Sequence, residues 1–458
     1  MKLSVFIFCL ILGKQATALE FTVDTTEDTI DVDVIDGLCE DINGHCSLRA
    51  AIMQTNRFAT DDVIYLPRNE IFTLNLVDAG VDSEQVNDLD IRDTLTLSIV
   101  DPETPVTSFA EIPQITAGLA FNDRIFELQN GGNITFYGIG ITHGNAQNSA
   151  VNERRGGGVY VAELVTEFHL IHSYVAFNQA AFGAGIYSAA QSTWIESSDV
   201  SYNTAIIPAA IVLGAGGAGI YHVGDSFTLS KSSVHHNYTN EDNGFLLSAL
   251  SLNGVDSTVN VLNSLVADNG QLTGSTSSVI DGISANQANV FINNSNISTN
   301  TRYGMRFSSN NNHVLTMRNS VLSHNENANC GVMQGIQDFG EELDPAHIVS
   351  SDLSCDLSEL AMNIEGVDPE LSDVYGSFNI LEFSFFMLQY PLDGSVLIDS
   401  GHVADVNSGS ASACEPKDIR GVSRPQHGGI NTQCDIGAFE VADLIFKSDF
   451  SALESNEL

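Results

Sequence analysis

The strongest pattern in the chain is a repeat of apolar and polar positions between residues 168 and 325. Six copies contain Ser, any residue, an aliphatic residue, two further residues and Asn, and their asparagines lie 25, 34, 32, 31 and 25 residues apart. Apolar residues recur eight and ten positions before each asparagine, with Thr193 as the exception. Positions two apart lie on one face of a strand, so each repeat predicts short strands with one buried face. We expect the repeated asparagines to stack as a ladder of side-chain amides, and they are Asn178, Asn203, Asn237, Asn269, Asn300 and Asn325.

A second, glycine-rich pattern followed by an aliphatic residue and Tyr begins at Gly156, Gly183 and Gly217. No single repeat can bury its apolar face, but coils stacked at about 4.8 Å cover one another. The leucine spacing of leucine-rich repeats and the blade signature of propellers are absent. The two patterns therefore predict an all-β fold, a parallel β-helix, whose extra residues loop out over 206–216 and 241–247.

The N-terminal region shows shorter patterns. Residues 21–23 and 30–34 alternate apolar and polar residues, as half-buried strands do, and several short strands are expected between residues 63 and 99. Ser47 can cap a short helix over Leu48 to Thr55, whose apolar residues fall on one face. Such a helix is suited to cover the open apolar end of a stack of coils.

The chain carries 58 acidic and 17 basic residues among 458, a formal net charge of −41. Nucleic-acid binding needs clustered Lys and Arg, so a nucleic-acid partner is excluded, and an anionic membrane surface would repel the chain. Calcium is the natural small partner of such a surface. The alternative reading of the charge is solubility outside the cell.

The first residues predict export. A basic start, a short apolar run to Leu12 and the small residues Ala16 and Ala18 are typical of a secretory signal peptide, although Lys14 is unusual there. No later stretch is long and apolar enough for a membrane helix, so we expect an extracellular or cell-surface protein. The expected division is a signal peptide (1–18), an N-terminal cap with the first coils (19–115), β-helix repeats (116–340), a C-terminal region (341–442) and an acidic tail (443–458).

Six cysteines remain after removal of the signal peptide. They lie in three sequence-local pairs, which favours the disulfide bonds Cys39–Cys46, Cys330–Cys355 and Cys414–Cys434 and fits an oxidising compartment. Metal binding is the rival, but no CxxC or Cys-His spacing supports it.

Several segments resemble known families. The repeats resemble those of bacterial right-handed parallel β-helix proteins, including the polymorphic outer-membrane protein type. Residues 46–52 (CSLRAAI) resemble the CSLREA domain motif, with Ala50 in place of its usual Glu. The C-terminal region is similar to the choice-of-anchor Q domain at residues 368–371 (DPEL), 392–401 (LDGSVLIDSG), 418–425 (DIRGVSRP) and 434–440 (CDIGAFE). The resemblance implies a right-handed, pectate-lyase-like solenoid on a secreted or surface-displayed bacterial protein, in a family that rarely has an assigned activity.

Because this fold also carries pectin-degrading enzymes, we looked for a lyase site. A uronate lyase needs an Arg or Lys base beside carboxylates that hold Ca²⁺. Candidate catalytic residues are Arg302, Arg306 and Arg318, and candidate Ca²⁺ ligands are Asp268 and Asp281. These residues form no motif, so offsetting acidic charge is their alternative role.

Other chemistry has less support. The chain resembles neither the Asn-x-Asp nor the Gly-His-Gly motif of β-helix galacturonases, which counts against hydrolysis. The adjacent pair His235 and His236 is expected to be solvated rather than metal-binding, since neighbouring strand residues face opposite sides. Arg420 and Arg424 are expected to form structural ion pairs with nearby carboxylates.

Two hypotheses follow. In the first, an exported, non-enzymatic β-helix protein acts in adhesion or recognition of extracellular carbohydrate or of a host or cell-surface ligand, without a cofactor. In the second, a Ca²⁺-dependent polysaccharide lyase or related enzyme uses the same scaffold.

Peptide mapping of the non-reduced mature protein tests the cysteine prediction. We expect three local links and, after reduction, six free thiols, because cysteines close in sequence pair with the smallest loop-closure penalty. A mapped link between Cys46 and Cys330 would contradict the prediction.

Overall fold

The computed structural model describes residues 17–77, 83–104, 106, 108–147, 154–207, 216–239, 247–271, 280–310, 312–341, 344–357, 362–379, 384–404, 406–425 and 433–441. All but the last two residues of the expected signal peptide lie outside these ranges, as do the acidic tail and most of the two expected loops at 206–216 and 241–247.

Short strands dominate the described part of the chain. The N-terminal elements are β1 (Glu20–Thr22), α1 (Leu48–Thr55), β2 (Asp62–Leu66), β3 (Ile71–Leu74), β4 (Leu89–Ile91), β5 (Leu95–Ile99), a 3-10 helix (Phe109–Glu111), β6 (Gln114–Ala117) and β7 (Phe126–Leu128). The repeat region contains β8 (Gly131–Tyr137), β9 (Gly140–Thr142), β10 (Val159–Val161), β11 (Val165–Ile171), β12 (Tyr174–Ala176), β13 (Gln179–Ala180), β14 (Ile186–Ser188), β15 (Ser192–Glu196), β16 (Asp199–Ser201), β17 (Thr204–Ala205), β18 (Gly217–His222), β19 (Ser226–Ser230), β20 (Ser233–His235), β21 (Tyr238–Thr239), β22 (Leu247–Leu252), β23 (Ser257–Leu262), β24 (Leu265–Ala267), β25 (Gly270–Gln271), β26 (Ile280–Asn286), β27 (Ala288–Asn293), β28 (Asn296–Ser298), β29 (Tyr303–Ser308), β30 (Val314–Arg318) and β31 (Val321–Ser323). The C-terminal strands are β32 (Ala328–Gln334), β33 (Ile336–Asp338), β34 (Gly340–Glu341), β35 (Asp344–Pro345), β36 (Val349–Ser350), β37 (Ile364–Glu365), β38 (Tyr375–Asn379) and β39 (Ser384–Leu388).

The strands form three long parallel sheets. The first sheet has the order β1-β2-β5-β8-β11-β15-β19-β23-β27-β30-β33, the second β4-β7-β10-β14-β18-β22-β26-β29-β32, and the third β3-β6-β9-β12-β16-β20-β24-β28-β31-β36-β37. A short fourth sheet has the order β13-β17-β21-β25, and β34-β35 and β38-β39 are antiparallel pairs. Each repeat passes through the second, first and third sheets in turn. The predicted right-handed parallel β-helix with a short N-terminal helix is therefore confirmed.

The repeated apolar positions fill the interior of the coils. Phe168, Thr193 and Phe227 pair in register along the first sheet, and each is fully buried. On the third sheet, the aliphatic residues three positions before the asparagines, such as Val175 and Val200, also pair in register and are fully buried. The spacing seen in the sequence is thus the spacing at which equivalent side chains stack from coil to coil.

The asparagines form a continuous amide ladder. Asn178 Nδ2 donates to the carbonyl of Ile141 in the preceding coil (3.1 Å) and to Oδ1 of Asn203 in the next coil (3.0 Å). Its own Oδ1 accepts from the Gly144 backbone N–H at 2.9 Å. The pattern repeats to Asn325 and continues into Asn329, which lies outside the repeat motif.

The glycine motif makes room for this ladder. A Cβ atom on Gly185 would lie 2.8 Å from Nδ2 of Asn203 and 2.7 Å from the Gly219 carbonyl oxygen. Real Cβ atoms do not approach so closely, so the amide of Asn203 occupies space that only glycine leaves open. The glycine pattern and the asparagine pattern therefore form one contact, in which the start of each coil packs against its end.

Left-handed residues make two corners in each coil. The residues just before the repeated Ser and just before the repeated Asn have φ between 44° and 60°. Gly138 (65°) and His143 (62°) take the same conformation in the coil that precedes the first repeat. A parallel serine ladder supports the first corner: the Ser173 N–H donates to Ser198 Oγ (3.1 Å), and Ser198 Oγ donates to the Leu170 carbonyl (3.2 Å). These corners turn the residue before each asparagine out of the coil.

The N-terminal region departs from two expectations. Residues 30–34 form no strand, because the Asp31 carboxylate accepts the backbone N–H groups of Asp33 (2.8 Å) and Glu40 (3.2 Å) and holds a turn instead. The helix α1 is capped by Ser47 as predicted, but all eight of its residues are buried rather than one face. Its Arg49 is accommodated by an ion pair with Asp28 at 2.7 Å.

The C-terminal region packs against the outside of the third sheet. Leu388 and Phe439 contact Leu265 and Ala267 of β24, and Leu397 lies against the end of the same sheet. Disulfide bonds join Cys39–Cys46, Cys330–Cys355 and Cys414–Cys434. No helix in the described ranges has the length and apolarity needed to cross a membrane.

Replacing a ladder asparagine should reduce stability. Asn269→Leu should lower the free energy of unfolding by about 1–3 kcal/mol, because Asn300, Asn237 and the Val234 carbonyl lose buried partners. Urea unfolding measures the change. The matched control is Asn43→Leu in an exposed N-terminal turn, which should alter stability by less than about 0.5 kcal/mol. A neutral Asn269→Leu variant would contradict a stabilising ladder.

Candidate functional site

One row of side chains projects outward along the edge of the third sheet. These are the left-handed residues just before each ladder position, which is an asparagine in every coil except the first, where it is Gly144: His143, Phe177, Tyr202, His236, Asp268, Thr299 and His324. Their four N-terminal members form a ring stack with successive centroid distances of 5.6, 5.1 and 5.0 Å. Phe177 is half exposed, so part of this stack reaches solvent.

The same row continues into an acidic cleft. The last three members form one wall, and two C-terminal segments, residues 368–374 and 389–393, form the other. The cleft has a volume of about 750 Å³. Its acidic lining residues are Asp268, Asp368, Glu370, Asp373 and Asp393.

The charged side chains that line the cleft are almost all acidic. Among the described residues that line it, there are five carboxylates and one histidine but no lysine or arginine. His324 Nε2 lies 3.5 Å from Asp368 Oδ1, and this pair leaves the Asp368 side chain 65% exposed. Gln389 and Ser372 add polar groups, and Leu371, Val374 and Leu392 add apolar surface. The cleft therefore attracts cations and offers many acceptors for hydroxyl and amine hydrogens.

A buried polar network lies beside this row. His235 Nε2 lies 2.8 Å from Asp199 Oδ1, and its Nδ1 lies 2.7 Å from His236 Nδ1. Burial raises the pKa of Asp199, but His235 and two serine hydroxyls outweigh it and hold the pKa below its usual value. Burial and the neighbouring His235 lower the pKa of His236.

The expectation that both histidines are solvated is therefore wrong for His235, which is buried. The C-terminal hairpin of β38 and β39 contacts β16 and β20, the strands that carry this network, and the Met387 N–H donates to Ser233 Oγ at 3.2 Å. Strand alternation predicted opposite sides for the two rings. Because the backbone of His236 is left-handed, its Nδ1 instead lies within hydrogen-bond distance of the Nδ1 of His235.

Two of the candidate catalytic arginines meet at one carboxylate. Arg306 Nε contacts Asp281 Oδ2, and Arg302 Nε lies 3.8 Å from Asp281 Oδ1. Burial raises the pKa of Asp281, and the two arginines partly offset this effect. The arrangement is an ion cluster at the second sheet, in which one buried carboxylate lies between two partly buried guanidinium groups.

The remaining candidates lie elsewhere. Arg318 is on the first sheet, where it forms two 2.9 Å hydrogen bonds with the Asp338 carboxylate. Asp268 lines the acidic cleft, whereas Asp281 does not. In the described part of the chain, neither belongs to a group of three potential ligands that could share an ion. The structure thus brings Arg302, Arg306 and Asp281 together. It places Arg318 on the first sheet and Asp268 in the cleft.

The expected structural role of the C-terminal arginines agrees with their contacts. Arg420 forms hydrogen bonds of 2.8 and 2.6 Å with the Asp418 carboxylate. Arg424 is buried, with the Glu440 carboxylate 3.8 Å away, and donates to the Asp435 carbonyl at 3.0 Å.

Sequence reasoning missed most of the cleft. In the sequence, Asp368 and Glu370 stand out only because they belong to a segment that resembles a C-terminal family motif, and Asp393 follows Leu392 in another such segment. The row before the asparagines was readable from the repeat register, but its outward direction depends on the left-handed corners. The opposite wall comes from residues 44 to 125 positions later, and no local pattern specifies that contact.

Comparisons with known proteins add little. No family model matches the chain, including any for the CSLREA or choice-of-anchor types, and no curated protein matches it. Among solved structures, the crystal structure of the pectate lyase Pel9A aligns with a TM-score of 0.47 and 14% identity, covering 93% of this chain and 97% of that one. Similarity at this level carries no argument about the activity of the present chain.

Breaking the Asp281 cluster should destabilise the fold. Asp281→Asn should lower the free energy of unfolding by about 1–3 kcal/mol, because it removes the buried carboxylate that compensates two arginines. Glu196→Gln, at an ion pair with a 37% exposed carboxylate, is the control and should cost less than about 1 kcal/mol. Equal stability of the two variants in urea would argue against a structural role for Asp281.

Proposed function

We propose that this protein is an exported recognition protein that binds extracellular carbohydrate in the acidic cleft. The observation that carries the proposal is the cleft itself, a concave site of about 750 Å³ between the repeat row and the C-terminal region. This volume lies within the range of ordinary small-molecule sites, roughly 300–1,000 Å³. It is large enough for part of an oligosaccharide chain.

The lining suits hydroxyl-rich ligands. Each ionised carboxylate offers two acceptor oxygens, and hydrogen bonds to charged acceptors are stronger than those between neutral groups. Leu371, Val374 and Leu392 supply apolar surface for the C–H groups of a sugar ring. His236 lies one coil from Asp268, so the aromatic stack begins where the cleft ends. A chain of sugars can therefore continue from the cleft along the row.

The negative charge of the cleft favours some classes of carbohydrate over others. A uronate would place its own carboxylate among those of Asp268, Asp368 and Glu370, and like charges at close range are unfavourable. A sugar bearing a free amine gains attraction instead. We therefore favour amine-bearing or neutral glycans over pectin-like polymers.

The expected location supports a surface role. The chain begins with a stretch typical of signal peptides and contains three disulfide bonds, which form in oxidising compartments. The motifs that resemble CSLREA and choice-of-anchor Q domains point to secretion or display on a bacterial surface. Adhesion to a glycan on a cell or host is the use that fits these features.

Calorimetric titration with matched oligosaccharides tests the proposal. We expect a free-amine chito-oligosaccharide to bind more tightly than its N-acetylated counterpart, and oligogalacturonate not to bind. Added salt should weaken the amine form most, because exposed charges are screened. Absence of binding by all three ligands, or preference for oligogalacturonate, would refute the proposal.

Variants locate the binding site. Asp368→Asn combined with Asp393→Asn should weaken binding of the amine form about tenfold or more, the effect of losing a charge-assisted hydrogen bond. Glu163→Gln removes an exposed carboxylate outside the cleft and should leave the affinity unchanged. The same oligogalacturonate, incubated with Ca²⁺, tests the lyase alternative: unsaturated products lost in Arg306→Ala would favour it.

A further inference from the structure

Three carboxylates converge on the second sheet near the N-terminal end of the β-helix. Asp88 precedes β4 and Asp90 lies within it, and residues two apart share one face of a strand. Asp90 pairs in register with Glu127 of β7. One oxygen atom from each of the three lies within 4.8 Å of the other two. Two neighbouring coils thus contribute to one cluster, far along the sequence from the acidic cleft.

Asp88 is the unusual member of this cluster. It is 0% exposed, and neither of its carboxylate oxygens has a hydrogen-bond partner. The nearest cationic atom, Nη1 of Arg124, is 3.7 Å from Oδ2, which is beyond hydrogen-bond distance. A buried carboxylate without donors is unfavourable unless a cation or a proton compensates it. Burial raises the pKa of Asp88 well above its usual value, and Asp123 adds to this effect.

The other two carboxylates are already held in place. Gln129 Nε2 donates to Asp90 Oδ1 at 2.7 Å and to Glu127 Oε1 at 3.3 Å. Arg92 Nη2 donates to Asp90 Oδ2 at 2.9 Å. Fixed carboxylates beside one that accepts no hydrogen bond, and that has only Arg124 within ion-pair distance, resemble the outer support that metal ligands receive in proteins.

We propose that Asp88, Asp90 and Glu127 bind a divalent cation, Ca²⁺, between the first coils. The donor atoms are all carboxylate oxygens, which suit Ca²⁺ and Mg²⁺ rather than transition metals that prefer nitrogen or sulfur. Mg²⁺ usually keeps several waters and binds through only one or two carboxylates, whereas Ca²⁺ accepts a larger and more flexible set of protein oxygens. Three carboxylates from two coils therefore favour Ca²⁺.

The bound ion links the N-terminal helix to the coils. Arg49 of α1 donates to the backbone carbonyl of Asp88 at 3.1 Å, so the cluster lies directly beneath the buried helix. An ion that binds the folded state alone shifts unfolding toward higher temperature. This role is structural and does not depend on carbohydrate binding in the cleft.

Calorimetric titration of the chelator-treated full-length protein with CaCl₂ and with MgCl₂ tests the site. We expect one tight Ca²⁺ site above a background of weak surface binding, with Mg²⁺ bound less tightly. Asp88→Asn should weaken the tight site by about tenfold or more, the scale seen when a metal's surroundings lose a key group. Saturating Ca²⁺ should raise the unfolding temperature of the wild type and much less that of the variant.

Asp62→Asn is the matched control. Asp62 is also a buried carboxylate in the first coils with a pKa raised by burial, but it lies outside the cluster. Its variant should lose stability yet keep the tight site. Glu127→Gln, at the most exposed of the three ligands, serves if Asp88→Asn does not fold. Absence of a tight site in the wild type, or identical isotherms for wild type and ligand variants, would refute the proposal and leave Asp88 as a neutral buried acid.

Discussion

The fit between a buried asparagine amide and a glycine backbone holds each coil of this protein closed. In the coil that contains Asn203, Nδ2 donates to the Val175 carbonyl and to Asn237 Oδ1, while its own Oδ1 accepts from Asn178. These bonds satisfy the whole amide without water. They require the glycine at the start of the coil, because a side chain there would occupy the space of the amide. The spacing between the glycine and the asparagine in the sequence is therefore fixed by the contact that the two residues make in the folded coil.

The two left-handed corners of each coil divide the residues that build the scaffold from those that face outward. A non-glycine residue in the left-handed region is strained by about 1–2 kcal/mol, so a coil with two such corners needs compensation. The serine and asparagine ladders provide it through hydrogen bonds between successive coils. The left-handed residue before each asparagine points away from the interior of the coil, so packing inside the coil does not set its side-chain type. That freedom explains why one row holds aromatic rings in some coils and an acid, Thr299 or His324 in others.

Charge is distributed to match burial. Where carboxylates are buried, as at Asp281 and Asp199, a cationic or polar partner lies against them. In the cleft, five carboxylates share one lining whose described residues include a single histidine and no lysine or arginine. The N-terminal cluster around Asp88 is intermediate, since arginines and Gln129 support two carboxylates and leave the third without a donor. These differences separate structural ion pairs from the two places where a ligand can complete the charge.

The sequence by itself determined the scaffold, because stacking equivalent residues requires the same residue types at the same positions in every coil. The register of Phe168 and Thr193, the asparagine ladder and the local cysteine pairs could all be read from spacing. The sequence did not reveal the contacts that occur only once in the structure and are not repeated from coil to coil. Asp31 captures backbone N–H groups that an alternating pattern assigned to a strand, and the C-terminal region covers the third sheet through side chains that belong to no repeat. Only the tertiary structure decided that Arg306 faces Asp281 and that Asp268 faces Asp368 across a cleft, since both depend on how distant segments pack.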